Sequence, residues 1–150
     1  MTLRFPTLAA MLLLSWTTPA QSENHVSAQD VADLANERAI DAFHSLCMRN
    51  LDDPDAARTD AEKAGFEFLG QGTAVTDNLT IQINTHPARS FECIVVRERL
   101  ATNYGGRDDF FRSLSLQHRR GVAQMIISGE PYVFMHTSSG GFASFTVFKE

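Results

Sequence analysis

The sequence predicts an α+β fold: a single small domain with a mainly antiparallel sheet, two N-terminal helices and one further helix. Three observations carry that prediction. Apolar residues recur at three- and four-residue steps through residues 28–48, the period of one helix face. Leu79, Ile81 and Ile83 alternate with Thr80 and Gln82, the period of a half-buried strand. Tyr132, Phe134, Phe142, Phe145 and Phe148 crowd the end of the chain, with turn residues between them. Helices and strands in separate runs select α+β over an alternating parallel architecture.

The chain opens on a segment set apart from that domain. Arg4 is its one charge and precedes an apolar run from Leu8 to Trp16, closed by Thr17, Thr18, Pro19 and Ala20. A charged start, an apolar middle and a small-residue end read as a secretory signal peptide over residues 1–20, cut after Ala20. The run is nine residues long, against roughly twenty for a bilayer span, so no stable membrane anchor is expected after cleavage. The expected destination is outside the cytoplasm: the periplasm of a Gram-negative cell, or the medium otherwise. Residues 21–26 are polar and read as a flexible N-terminal segment, and residues 27–150 as the one domain.

Ser27 begins the first helix, expected from about 28 to 48, with Asp30 and Asp33 near its positive end. Val31, Leu34, Ala35, Ala42, Phe43 and Leu46 set its apolar stripe. Asp53 is a natural N-cap and Pro54 suits the first helical position. Alanines at 56, 57, 61 and 64 then lead to a stop at Gly65, giving a second helix near 54–64. Residues 66–69 read as a brief strand and 70–78 as turn. Residues 79–97 read as an antiparallel hairpin, with Pro87 in its loop at 86–89. Tyr104, Gly105 and Gly106 make a break. Asp108 and Asp109 open a third helix expected to reach Arg120, with Phe110, Phe111 and Leu114 on its buried side. Residues 122–127 fit a strand or a continuation of that helix, and the strand is preferred. Strands at 132–137 and 142–148 close the chain, joined by Ser138, Ser139, Gly140 and Gly141.

Charge narrows the function classes. The chain has 13 basic and 18 acidic residues, a net charge of −5, and loss of Arg4 with the leader makes it −6 (12 − 18). Residues 21–67 hold eleven acids and four bases, while residues 68–150 hold seven acids and eight bases. This argues against nucleic acid as a partner, because phosphate binding needs a basic footprint. The two cysteines, Cys47 and Cys93, are expected to form a disulfide, as an even pair in an exported chain does. A redox pair would show Cys-x-x-Cys spacing, which this sequence lacks.

No catalytic motif, metal motif or cofactor fingerprint is present. None of the five histidines falls in a zinc spacing, and His44 with Cys47 makes two ligands only. Asp52, Asp53 and Asp55 lack the glycine-bearing frame of a calcium loop. No Gly-x-Ser-x-Gly elbow occurs. Arg119 and Arg120, at the expected end of the third helix, are candidate anion contacts, at a place where positive charge is favourable in any case.

The aromatic strands supply the candidate binding face. Tyr132, Phe134 and His136 share one side of their strand, and Phe142 and Phe148 lie opposite Ala143, Phe145 and Val147 on the last. Apolar residues on both sides fit a strand covered on both faces. The functional alternative is an apolar groove or partner face formed from Tyr132, Phe134, His136, Phe142 and Phe148. The resulting expectation is a non-enzymatic exported binding or accessory protein that takes another protein or a small apolar ligand. The rival is a small secreted hydrolase with a dispersed site, using His136 or His118 with a nearby serine.

Overall fold

The computed structural model describes residues 26–86, 89–98, 100 and 105–150. The leader expected over 1–20, residues 21–25 of the flexible segment expected over 21–26, Pro87 in the hairpin loop and Tyr104 lie outside them.

Helix α1 spans Ala28–Ala42 and starts on a capping box. The Ser27 hydroxyl accepts from the Asp30 amide at 3.1 Å, and the Ser27 amide donates to the Asp30 carboxylate at 2.9 Å, so two donors left open at a helix start are satisfied. The helix continues as one π-helical turn, Phe43–Met48. The Arg49 amide closes it on the His44 carbonyl at 3.1 Å. This wider turn delivers Phe43, Leu46 and Cys47 to the interior together, and all three are buried. Helix α2, Pro54–Lys63, is capped by the Asp53 carboxylate on the Ala56 amide at 2.9 Å. Ala57 and Ala61, one turn apart, have no exposed area, and their small side chains let the helix lie close to its neighbours.

Seven strands form one antiparallel sheet: β1 Glu67–Gly70, β2 Thr73–Thr76, β3 Leu79–His86, β4 Arg89–Arg97, β5 Val122–Ile127, β6 Glu130–Ser139 and β7 Phe142–Lys149. Their order is β1-β2-β3-β4-β7-β6-β5. The C-terminal meander therefore docks on the first four strands through its last strand. Helix α3, Arg107–Ser113, lies in the connection from β4 to β5.

Two elements differ from the sequence expectation by more than shifts of a residue or two at their ends. The stretch 70–78, read as turn, contains β2. Gln71 and Gly72, with φ of 49° and 76°, reverse the chain there. A side chain at Gly72 would sit 2.2 Å from the Ile83 carbonyl oxygen, so only glycine lets the turn lie against β3. The third helix ends at Ser113, not Arg120. The Leu116 amide reaches the Phe111 carbonyl at 2.9 Å and the Ser115 amide the Arg112 carbonyl at 3.0 Å, with Ser115 at φ 55°. That is a Schellman stop, held by Leu116 packing back on the core.

The core lies on one face of the sheet. Ile81, Ile83, Phe91, Cys93, Val95, Phe134, Phe145 and Val147 point into it and have no exposed area. Phe110 of α3 seats between Phe43 and Phe145, with ring centres 4.9 and 5.1 Å away. A disulfide joins Cys47 to Cys93, with Cα atoms 5.6 Å apart, and ties the π-helical turn to the central strand β4. The opposite face carries no helix among the described residues. There Val133 and Phe148, paired across β6 and β7, are buried yet stay outside the core cluster.

The apolar stripe of α1 is rotated from its expected position. Ala32, Asn36, Ala39 and Ile40 face the sheet, while Val31 and Leu34 stay 48% and 49% exposed. The alanines allow the closest helix-to-sheet approach, so they take the inner row, and the larger side chains take the flank.

Candidate functional site

That flank is one wall of a groove. Val31, Leu34 and Ala35 recur at helical steps along α1 and face Leu79 of β3 and Leu100 just beyond β4. The enclosed space is about 190 Å³. Asn78, Arg38 and Glu98 contribute its polar rim, and all three are exposed.

Arg97 is built into the same groove. It is the last residue of β4, stands opposite Leu79 on one side and Ala143 of β7 on the other, and is 1% exposed. The strand alternation that points Cys93 and Val95 into the core points Arg97 there too. Among the described residues none of its three guanidinium nitrogens has a hydrogen-bond partner. Burial pushes its proton affinity down, yet an arginine keeps its charge in a protein. An ion held in this way, without a hydrogen-bonded partner, costs several kcal/mol.

A second, more polar cleft of about 530 Å³ lies where the chain enters α3. Its cations are largely matched. Arg107 pairs with Asp108 at 3.2 Å and Arg112 with Asp109 at 2.8 Å. His136 lines this cleft but is 7% exposed. Burial, then the nearby charges of Arg107 and Arg97, lower its pKa to about 4, so the ring is neutral near pH 7. It packs edge-on to Phe145 at 5.1 Å.

His44 and His118 are held by contacts of different kinds. The Ser113 hydroxyl donates to the Phe110 carbonyl at 2.7 Å, so it accepts from His44 Nε2 at 2.8 Å. A serine holding that role cannot give its proton to the histidine. His118 Nδ1 accepts from the Gly121 amide at 3.3 Å and its Nε2 meets Asp108 at 3.1 Å. Both ring nitrogens are engaged, and neither meets a serine. Among the described residues no three His, Cys, Asp or Glu side chains group as metal ligands.

The residues singled out from the sequence are distributed differently. Tyr132, Phe134 and His136 point to the helix-covered face and are buried. Phe142 and Phe148 belong to the opposite face, Phe142 at 47% exposure and Phe148 at 9%. The β6–β7 register, Phe134 on Val147 and Val133 on Phe148, separates the two groups, so the five residues do not form one surface. Tyr132 instead donates its hydroxyl to Asp52, which also meets Lys149 at 3.2 Å. That contact pins the loop before α2 to the sheet. Arg119 and Arg120 are exposed on the turn that follows α3, and only Arg120 lines the polar cleft. Sequence reasoning missed Arg97. Its signal was present: a charge at the inward position of the alternation Phe91, Cys93, Val95, Arg97.

Comparison with protein-family models, with curated proteins and with solved structures finds no match for this chain.

Proposed function

We propose that the chain is an exported, non-enzymatic binding protein whose ligand is a small apolar molecule held between α1 and the β3–β4 hairpin. The carrying observation is the groove itself: larger apolar side chains of α1, Val31 and Leu34, are left half exposed across from Leu79 and Leu100. Buried apolar area is what such a ligand would gain there. The leader over residues 1–20 and the disulfide between Cys47 and Cys93 support a working place outside the cytoplasm.

Backbone amide NMR of the purified protein titrated with octan-1-ol tests the binding reading. Saturable shifts should centre on Val31, Leu34, Leu79 and Leu100. Shifts that do not saturate, or that fall on the open sheet face around Val133 and Met135, would refute it. N-terminal sequencing of protein recovered from producing cells tests export, and Gln21 should come first.

A further inference from the structure

We infer that the ligand of this groove is a short-chain alkyl carboxylate and that Arg97 receives its headgroup. The inference rests on the groove reading above and adds the chemistry of the ligand. Arg97 lines the groove, is almost wholly buried and, among the described residues, has no hydrogen-bond partner on any guanidinium nitrogen. A neutral ligand would leave that charge as it is. A carboxylate meets the planar guanidinium through two parallel hydrogen bonds, the geometry this side chain favours.

Charge balance selects a monoanion. The lining holds Arg38 and Arg97 against Glu98, two positive charges and one negative, a surplus of one. A carboxylate cancels it. A doubly charged phosphate would exceed it beside Glu98. Size selects a short chain, because about 190 Å³ falls below the roughly 300–1,000 Å³ of sites for drug-sized ligands. Val31, Leu34, Leu79 and Leu100 supply the apolar walls along which the alkyl chain would lie.

Calorimetric titration of the purified protein with octanoate, octan-1-ol and inorganic phosphate tests this. Octanoate should bind saturably, octanol at least about tenfold more weakly, and phosphate not at all, since a charge-assisted hydrogen bond is lost in the alcohol. In Arg97→Met the preference for octanoate over octanol should vanish. Octanol binding as tightly as octanoate would overturn the carboxylate inference and leave the apolar groove standing. Failure of both to bind would overturn the groove reading itself. Phosphate binding more tightly than octanoate, or a preference for octanoate retained in Arg97→Met, would overturn the role of Arg97. If the variant does not fold, octanoate labelled with ¹³C at its carboxylate gives the answer in the unaltered protein. The bound carboxylate should titrate at lower pH than the free one, and an unchanged titration would overturn the inference.

Discussion

Arg97 and Leu79 stand directly opposite each other across the β3–β4 ladder, a buried guanidinium beside an apolar side chain in one groove. Among the described residues no hydrogen bond holds that charge. Ala143, the other cross-strand neighbour of Arg97, leaves room for an apolar residue of similar length. Arg97→Met should therefore raise the stability of the ligand-free protein, by about 1–4 kcal/mol on the scale of buried ion replacements. Urea denaturation near pH 7 measures it. A loss of stability would mean that the guanidinium is paired in the free protein.

His136 makes stability depend on pH in a defined window. Its folded pKa of about 4 lies below the ordinary 6.5, so the unfolded chain binds more protons between those values. Stability is complete above pH 6.5 and falls as pH drops toward 4, by about 3 kcal/mol in all. Hydrogen bonds hold Asp30, Asp60 and Asp108 below their ordinary 3.8, so they add losses only at lower pH still. Urea midpoints at pH 7 and pH 4.5 should differ in the unaltered protein and converge in His136→Leu. An equal pH dependence in the variant would assign the effect elsewhere.

The disulfide closes a span of 46 residues, and the loop-entropy model gives it about 4 kcal/mol. Both cysteines have no exposed area, so reductant should act only when the chain unfolds. Thiol alkylation after treatment with reductant should stay low in native buffer and rise at urea concentrations near the midpoint. Cys47→Ser with Cys93→Ser should unfold at markedly lower urea. Rapid reduction in native buffer would contradict the burial.

Tyr132 and Asp52 join the sheet to the loop before α2. Tyr132→Phe removes that bond and leaves Asp52 with Lys149. Because Asp52 remains partly open to water, the cost should be modest, about 1–2 kcal/mol. Hydrogen exchange should quicken in residues 50–53 and not in β7. Unchanged exchange in that loop would show that other contacts hold it.

The architecture was legible because its signals are local. Ser27, Asp53 and Pro54 mark helix starts by capping chemistry, and the alternations at 79–83 and 91–95 mark strands by period. The strand β2 was not legible, because four residues, Thr73–Thr76, carry too little pattern and depend on the Gln71–Gly72 turn. The end of α3 was hidden for a related reason. It is set by Ser115 adopting a left-handed conformation and by Leu116 returning to the core, and neither residue is a helix breaker by composition. The site was the least legible part. Which row of α1 faces the sheet depends on how closely Ala32 and Ala39 approach it, a tertiary quantity that periodicity cannot rank against Val31 and Leu34. The candidate face at Tyr132, Phe134 and His136 had the opposite problem, since apolar residues on both sides of a strand do not reveal which side the helices cover.

A crystal structure of the purified protein grown with octanoate tests the central claim most directly. The account predicts the alkyl chain between α1 and the β3–β4 hairpin, against Leu34 and Leu79, with its carboxylate on the Arg97 guanidinium. A groove left empty at saturating octanoate, or the ligand seated on the open face beside Val133, would contradict it.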